Sequence, residues 1–351
     1  MAAAAWLRLL APDKSVVVLE IGSIGFGASG RTGGLTLAES AAGDLPGLGD
    51  VLAGLRTILE KLSAPGEPSL AEYSHLSLGG AWEVGRTGDR LPDSPIAWND
   101  SGTLHVTKEV QGGTVNPGKL VSALGRAAHR LGAIILENHP VERVEWKKWP
   151  ELQFAAGGRL RPRKILFATN ALSLSLSGLE SGVYPKLTLA AATAPLRNEQ
   201  LDAIGWSERK PFYTADLPYL WGRVQPNGST IWGAGLVDAP DEDGERDLLK
   251  VNVAEEVSAR IFASLEKRVR GLHPALRDVK FSHRWGGPIL FRDSWAPIFD
   301  WHRGNHAQSR NAIVLGAYAG HGVALSSYLG AWAAEALLGK RDLPNWGEFR
   351  P

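Results

Sequence analysis

The residues with the clearest chemical potential lie between Glu20 and Gly34. Glu20 ends an apolar run, Val16–Leu19, and a glycine-dense loop with a single cation, Arg31, follows it. In nucleotide-binding α/β proteins an acid in this place holds ribose hydroxyls, and glycine lets backbone N–H groups approach an anion. The pattern therefore favours a nucleotide site over the alternative, a plain glycine-rich surface loop.

The segment before Glu20 departs from the usual arrangement. A glycine fingerprint for the pyrophosphate normally precedes the acid by roughly 20 residues, which here falls at or before Met1. The residues in that interval, Ala2–Leu10, instead have a helical composition and are followed by Pro12. We therefore expect the chain to start inside the helix that follows the fingerprint, truncated before the first strand, and to bind a dinucleotide poorly.

A second candidate segment is the turn around His321. The apolar strand Ile313–Tyr318 leads through a glycine-rich turn into a largely apolar helix, Gly320–Leu338. Such a turn aims the helix N-terminus at a ligand above the strand end, where the helix dipole favours negative charge. His321 is a candidate general base, although a lone histidine in a tight turn is more often structural.

Two further segments suggest ligand contacts. The strand Lys164–Ala168 ends at Thr169–Ala171, and open α/β sheets place ligands at such carboxyl ends, although a capped helix would explain these residues equally well. The segment Ser282–Phe299 contains two tryptophans and two arginines, which suit a pocket for an anionic or amine-bearing substrate. They are Arg284, Trp285, Arg292 and Trp295. A strand pair with exposed arginines is the alternative.

Composition excludes several classes of protein. The 351 residues carry a net charge of +1, which argues against a nucleic-acid partner, and no cysteine, which rules out disulfides and thiolate metal sites. No apolar run approaches the roughly 18 residues of a membrane span, and we expect a cytoplasmic protein. His302 and His306 have a four-residue spacing but lie in a polar loop, so we predict no metal site.

Helical and strand patterns alternate along the chain. Helical periodicity covers Leu48–Leu62, and Asn116-Pro117 is a capped start for the helix that Gly132 ends. Strand patterns are expected at Tyr73–Val84 and Ile96–Thr107, and in short runs up to Ala168 and from Val183 to Trp232. A long amphipathic helix is expected at Asp247–Val269. This order predicts an α/β fold in which parallel units at both ends and in the middle enclose antiparallel segments.

Five segments, in this order, resemble the D-amino-acid oxidase-like (DAO) family of FAD-dependent oxidoreductases. They are Val16–Gly34, Gly112–Glu145, Ile165–Ala171, His283–Ile289 and Gly316–Ser326. The resemblance implies a Rossmann-like FAD/NAD(P)-binding domain interleaved with an antiparallel-sheet substrate domain. The FAD-binding domain would comprise residues 1–62, 112–182 and 306–351, and the substrate domain residues 63–111 and 183–305.

The resemblance also implies a reaction and a set of site residues. An amine or amino acid would transfer hydride to flavin N5, and O₂ or another acceptor would reoxidise the flavin. FAD would be noncovalent, since no cysteine can link it. The implied catalytic residues are His321, Trp285 and Arg292. The implied cofactor-binding residues are Glu20, Gly27, Ala28, Ser29, Gly30, Arg31, Gly33, Val141, Thr169, Asn170, Ala171, Gly316, Gly320, His321, Gly322 and Val323.

Two departures from the family pattern concern substrate binding. Ala324 stands where sarcosine-oxidase-like members carry a lysine, and Ile289 where glycine-oxidase-like members carry an arginine. Arg292 is the candidate substitute. Two alternatives to an amine or amino-acid oxidoreductase remain open: a flavin oxidase of hydroxy acids or polyol phosphates, and a non-catalytic truncated remnant that does not bind FAD.

Overall fold

The computed structural model describes residues 1–147, 149–179, 181–238, 256–302 and 310–349. Its α-helices are α1 (Ala2–Leu10), α2 (Val51–Leu62), α3 (Leu70–Tyr73), α4 (Pro117–Arg130), α5 (Leu174–Ser177), α6 (Asn198–Ala203), α7 (Glu256–Leu272) and α8 (Gly322–Leu337). None of these helices has the length and apolar character needed to cross a bilayer. Short 3₁₀ turns occur at Ala28–Gly30, Pro274–Leu276 and Asn345–Gly347.

The strands are short, apart from four long ones in the middle of the chain. They are β1 (Val17–Leu19), β2 (Leu35–Leu37), β3 (Ala81–Gly85), β4 (Trp98–Asn99), β5 (Thr103–Val110), β6 (Gly112–Thr114), β7 (Ile134–Leu136), β8 (Val141–Glu145), β9 (Glu151–Phe154), β10 (Arg159–Leu160), β11 (Ile165–Phe167), β12 (Tyr184–Thr193), β13 (Phe212–Thr214), β14 (Trp221–Val224), β15 (Thr230–Asp238), β16 (Phe281–Phe291), β17 (Ile298–Trp301) and β18 (Ala312–Gly316).

The largest sheet has eight strands in the order β16-β12-β15-β14-β13-β3-β5-β4. All its pairs are antiparallel except β13 with β3. One face packs on the largest apolar core, where Trp98, Trp206, Phe212 and Trp232 form an aromatic cluster with ring centroids 4.9–5.6 Å apart. This cluster holds these strands in place. Because successive side chains along a strand point to opposite faces, the residues next to those of the cluster point to the other face of the sheet.

That opposite face presents two cross-strand rows of side chains. The first row runs over Glu83, Tyr213, Trp221, Gly233, Ala190 and Trp285, each paired with the next across neighbouring strands. The second row runs over Arg223, Ile231, Ala192 and His283. Directly opposed residues share a face of a sheet, so these side chains form one surface.

The parallel strands form two separate small sheets. Strand β1 pairs in parallel with β7, whereas β11 pairs in parallel with β18, which also pairs antiparallel with β17. Within the described ranges β1 and β11 each have a neighbour on one side only. Helix α1 packs on α8 and α4, and their apolar residues form a second core beside these strands.

Local sequence patterns match most of this architecture. The bounds of α1 are those predicted, and Asn116 caps α4 by accepting a hydrogen bond from the Lys119 amide at 3.0 Å. The strand expected from Tyr73 starts only at Ala81, because Ser69 and Glu72 form a capping box that folds the preceding residues into α3. The helix predicted over 247–269 is seen as α7; residues 247–255 lie outside the described residues.

The α/β fold class is therefore confirmed. The strands of the large sheet come from residues 81–110 and 184–291, and the parallel pairs from residues 17–19, 134–136, 165–167 and 312–316. The division into two interleaved domains stays a prediction.

Candidate functional site

Glu20 lies at the carboxyl end of β1, next to the segment that leads into β8. Its backbone amide donates to the Leu136 carbonyl, and its carbonyl accepts from the His139 amide. Its carboxylate accepts a 3.2 Å hydrogen bond from the Gly22 amide. Because His139 is two residues from Val141, the predicted ribose acid and the predicted adenine-side residue are neighbours. No ion pair engages this carboxylate among the residues that the structure describes.

The loop from Gly27 to Gly34 folds as a tight 3₁₀ turn over Ala28–Gly30. A Cβ at Gly30 would meet the Gly25 carbonyl oxygen at 2.4 Å, so glycine is required for this close backbone approach. Arg31 donates to the Phe26 carbonyl at 3.0 Å, and its own carbonyl accepts from the Trp285 indole at 2.9 Å. The loop is thereby fastened to the large sheet.

A strained turn brings the second group of predicted residues together. Ala317 and Ala319 both have left-handed backbone, with φ of 56° and 48°, and the Ala317 amide donates to the Asn170 side chain at 2.9 Å. Strain of this kind costs roughly 1–3 kcal/mol per residue and is concentrated at functional sites. The ends of β11 and β18, and with them Thr169–Ala171 and Gly316, therefore meet above the N-terminus of α8.

Trp221 is the contact between this loop and the sheet. Its indole is clamped between Gly33 and Gly233, since a Cβ at either glycine would lie about 2 Å from the ring (2.1 Å and 2.0 Å). On the other side of the same face, Gly320 approaches Ile289, with 3.4 Å from its added Cβ to the Ile289 side chain. The sheet face, the glycine loop and the turn thus lie next to one another, and we call the region that they border the cleft.

Three polar side chains in these segments are buried without a partner. Four buried side-chain nitrogen or oxygen atoms lack a hydrogen-bond partner in the described part of the chain, and three belong here: Thr36 Oγ1, Arg223 Nε and His321 Nδ1. The fourth, His302 Nδ1, belongs to a ring that stacks on Trp146 at 4.2 Å. Buried polar groups are normally paired, so these atoms are candidates for hydrogen bonds to a polar ligand.

Burial changes the acid–base properties of the site. It lowers the pKa of His321, which favours the neutral imidazole, although a hydrogen bond to the Ala319 backbone and the negative charge of Glu39 oppose this shift. Burial also raises the pKa of Tyr213, helped by the negative charge of Glu39. The Tyr213 hydroxyl lies 2.9 Å from the Glu39 carboxylate and 3.4 Å from that of Glu83, so two acids and a phenol share one corner of the cleft.

Two arginines predicted to line the substrate pocket have structural contacts instead. The Arg292 guanidinium is buried and donates to four carbonyls, those of Ala296, Pro297, Trp346 and Glu348, which anchor the C-terminal segment. Arg284 donates to Glu266 of α7 at 2.6 Å, on the face opposite Trp285. Trp295 is 51% exposed. Of that cluster, only Trp285 lies on the cleft face.

The structure also places residues that the sequence analysis did not name beside the predicted ones: Glu39, Tyr213, Trp221 and Arg223 at the large sheet, and Thr36 in β2. One signal was available: Arg223 is a charged residue inside a short strand, next to the apolar residue Val224. His306, the partner of His302 in the four-residue spacing, lies outside the described residues, and no metal-ligand cluster occurs among those described.

An acid after a parallel strand, a glycine-rich loop and a helix N-terminus beside the large sheet are features of nucleotide-binding α/β proteins. The family model DAO, FAD dependent oxidoreductase, matches residues 90–336 of the chain. The protein therefore belongs to this family of FAD-dependent oxidoreductases, as its sequence predicted.

Known proteins with similar sequences or structures are oxidoreductases. The probable oxidoreductase OrdL of Rhizobium meliloti (strain 1021) is 26% identical over 271 residues, covering 76% of this chain and 55% of that protein. The chain thus spans about half the length of this relative. Glycine oxidase from Geobacillus kaustophilus shares the fold with a TM-score of 0.70 and 17% identity, over 97% of this chain and 92% of that one.

A second similar structure is iminodiacetate oxidase from Chelativorans sp. BNC1, with a TM-score of 0.70 and 16% identity over 97% of this chain and 93% of that one. At this identity the two structures show a shared fold. The fold and the family together imply a flavin cofactor. The residues on the cleft suit one, because the Glu20 carboxylate has no ion pair within the described ranges, the glycine loop leaves no room for side chains at Gly30 and Gly33, and His321 Nδ1 has no hydrogen-bond partner there.

Proposed function

We propose that this protein oxidises a small amine or amino acid with noncovalently bound FAD. The observation that supports this most is the concentration of unpaired buried polar atoms, Thr36, Arg223 and His321, around one cleft of a fold whose family binds FAD. The similar structures named above are an oxidase of glycine and an oxidase of iminodiacetate, both amines that carry a carboxylate. Their names favour the same substrate class here.

The roles of the residues follow from their positions. Glu20 would hold the ribose, and the loop from Gly27 to Gly33 would approach the pyrophosphate and the flavin through its backbone. When bound, the flavin supplies a hydride acceptor at N5. The Trp221 and Trp285 rings would exclude water from the substrate, because they cover the sheet face below the loop.

His321 is placed to handle a proton. The carbon next to an ammonium group releases a hydride readily only after that group has been deprotonated to the amine. His321 Nδ1 is buried and has no hydrogen-bond partner within the described ranges, and burial lowers the pKa of the ring, which favours the neutral imidazole that can accept a proton. Its amide, bonded to the Tyr318 carbonyl at 3.0 Å, fixes the turn that carries the ring.

The experiment is anaerobic reduction of the FAD-loaded chain by candidate substrates, and the loss of visible flavin absorbance is the readout. Glycine, sarcosine, iminodiacetate and proline are tested against glycolate, lactate and glycerol 3-phosphate. We expect bleaching by at least one amine and by none of the hydroxy compounds, and acid precipitation should release the FAD into solution. Bleaching by hydroxy compounds alone, or by no compound in a fully loaded protein, would contradict the proposal.

A matched pair of variants tests the role of His321. His321→Gln should lower the rate of flavin reduction and shift its pH profile to higher pH, because the substrate must then lose its proton to solvent. His129→Gln, an exposed change on α4, should leave both unchanged. An unaltered pH profile in His321→Gln would assign that ring a structural role.

A further inference from the structure

The loop that joins β13 to β14, residues 215–220, borders the cleft. It connects Tyr213 to Trp221, which are directly opposed on the cleft face of the large sheet. The Thr214 amide donates to the Leu220 carbonyl at 2.8 Å, so the strand pairing extends to Leu220, which is completely buried in the core on the other face. Because side chains alternate along a strand, Tyr219 lies on the side of the cleft.

Tyr219 stands between the cleft and solvent. The residue as a whole is 41% exposed, but the protein atoms around its hydroxyl raise the pKa of the phenol to about 12 through burial. The hydroxyl also lies close enough to Tyr213 for its charge to raise the pKa of that phenol. Tyr213 bonds the Glu39 and Glu83 carboxylates, so Tyr219 reaches toward the polar corner of the cleft.

Polar contacts, and not apolar packing, hold the tip of this loop. Leu217, at the tip, is 84% exposed. The carbonyls of three successive residues, Leu217, Pro218 and Tyr219, each accept a hydrogen bond from an arginine. Arg86 donates to the first at 3.3 Å, and Arg268 donates to the second at 2.6 Å and to the third at 2.8 Å.

One carboxylate, that of Asp100, binds both arginines. Asp100 is 8% exposed and accepts from Arg268 Nε at 3.0 Å and Nη2 at 2.6 Å, and from Arg86 Nη2. Arg86 also lies 3.4 Å from the carboxylate of Asp216, which begins the loop and accepts from the Arg86 amide at 2.8 Å. Two arginines and two aspartates thus balance in charge, and Asp100 links the ends of β3 and β4 to helix α7.

We propose that Asp100 is a positioning residue, which acts through Arg86 and Arg268 to hold the loop 215–220 as a wall of the substrate cleft. This inference rests on the proposed function and deepens it, because it names what fixes this side of the substrate site. A guanidinium has its donors in one rigid plane, so binding one carboxylate orients its other N–H groups toward the loop carbonyls. Without the carboxylate, two largely buried cations lose their shared partner and the loop loses its fixed position.

Nitration by tetranitromethane reports the position of the loop without turnover. The reagent attacks phenolates, and mass mapping of peptides distinguishes Tyr219 from the other tyrosines. At pH 8 Tyr219 should react slowly in the unchanged chain, because its hydroxyl is desolvated. Asp100→Asn should accelerate its nitration by roughly tenfold, as a fall of one unit in its pKa would. Tyr328, whose hydroxyl bonds the Leu48 carbonyl, should react as before.

Anaerobic flavin reduction measures the effect on the substrate. The probe is whichever of glycine, sarcosine, iminodiacetate and proline bleaches the flavin best. Asp100→Asn should raise the concentration that gives half the limiting rate by roughly tenfold and change the limiting rate by less than about twofold, because a wall contributes to binding and not to hydride transfer. Asp100→Glu, which keeps the charge, should recover part of the lost affinity.

Glu151→Gln is the matched control. Glu151 on β9 is 1% exposed and, like Asp100, contacts several cations, namely Lys147, Arg159 and Arg161. Its replacement should lower Tm as that of Asp100 does, yet leave Tyr219 nitration and the amine dependence unchanged. If Asp100→Asn does not fold, the charge-balanced variant Asp100→Asn/Arg268→Gln takes its place, since Arg86 then keeps Asp216 as its counterion.

The two proposals fail in different ways. Unchanged Tyr219 nitration in the folded Asp100 variant, or an equal rise in Glu151→Gln, would show that the network does not position the loop. If nitration rises in the Asp100 variant but the amine dependence stays the same, the loop is no wall of the substrate site, and the proposed function stands without this inference. If no amine bleaches the flavin while nitration rises in the Asp100 variant alone, Asp100 does hold the loop and the proposed reaction is wrong.

Discussion

The clamp around Trp221 allows a quantitative test of how the glycine loop is held on the sheet. In Gly233→Ala the new Cβ would lie 2.0 Å from the Trp221 indole, about 1.4 Å closer than the shortest ordinary contact of 3.4 Å. The ring is a rigid plane held from the other side by Gly33, so it cannot yield by rotating a flexible tip. The methyl group therefore has to push the ring and the loop away from the sheet.

The expected magnitude follows from studies of overpacked cores. An added methyl group without room costs about 1–3 kcal/mol, and we take about 2 kcal/mol for this rigid contact. With an unfolding entropy near 2.1 cal/mol/K per residue over 351 residues, about 2 kcal/mol lowers Tm by roughly 3 °C. Gly33→Ala, with a 2.1 Å approach from the loop side, should cost less, because the loop can move where the paired strand cannot.

A double-mutant cycle isolates the clamp from other effects. Trp221→Leu removes the ring atoms that the methyl would strike, at a cost of about 2 kcal/mol for the lost apolar contacts. In the double variant the alanine methyl fills vacated space, so Tm should fall by about as much as in Trp221→Leu alone. Independent sites would instead add within about 0.5 kcal/mol.

The assay is thermal unfolding followed by circular dichroism, with the near-ultraviolet signal reporting the tryptophan environment. Gly271→Ala is the control: its added Cβ meets no atom within 4 Å, and its helical position should make alanine neutral or stabilising by up to about 1 kcal/mol. Additive Tm changes in the cycle, or no effect of Gly233→Ala, would refute the clamp.

Two further predictions concern protonation and the nucleotide. Burial lowers the pKa of both His321 and His302, so the unfolded chain binds protons at a higher pH than the folded chain does. The free energy of unfolding should therefore fall as pH drops below about 6.5, by up to ~1.4 kcal/mol per pH unit for each ring. Tm measured between pH 7 and 5 should fall less in His321→Gln. Glu20→Gln should weaken FAD binding by roughly tenfold in fluorescence titrations, whereas exposed Glu142→Gln should not.

Local patterns in the sequence are sufficient to predict the frame of the candidate site. An acid after β1, a proline-capped α4 and a glycine turn before α8 are each determined by residues close together in the chain, and the structure places all three as the patterns indicate. Their order along the chain also indicates the family. Such features are predictable because caps, turns and strand periodicity depend on neighbours within a few positions.

The residues on the cleft face of the large sheet are not predictable in this way, because the order and register of the strands decide which side chains meet there. Trp221 and Arg223 reach the cleft only because β14 lies between β13 and β15, a neighbourhood that no local signal encodes. Arg292 illustrates the same limit: an arginine in an aromatic segment suits a ligand, but in the fold its guanidinium donates to the carbonyls of Ala296, Pro297, Trp346 and Glu348. Long-range contacts therefore decide whether an arginine is engaged by the chain itself or is left without a partner.

The two faces of the large sheet explain how an unpaired cation is tolerated. On one face, Trp98, Trp206, Phe212 and Trp232 are completely buried and pack edge to face, and such pairs add about 0.5–1.5 kcal/mol each beyond their buried area. These strands are thus fixed from below, and the opposite face can hold Arg223 without a counterion. Replacing that uncompensated cation by methionine should therefore leave Tm unchanged or raise it.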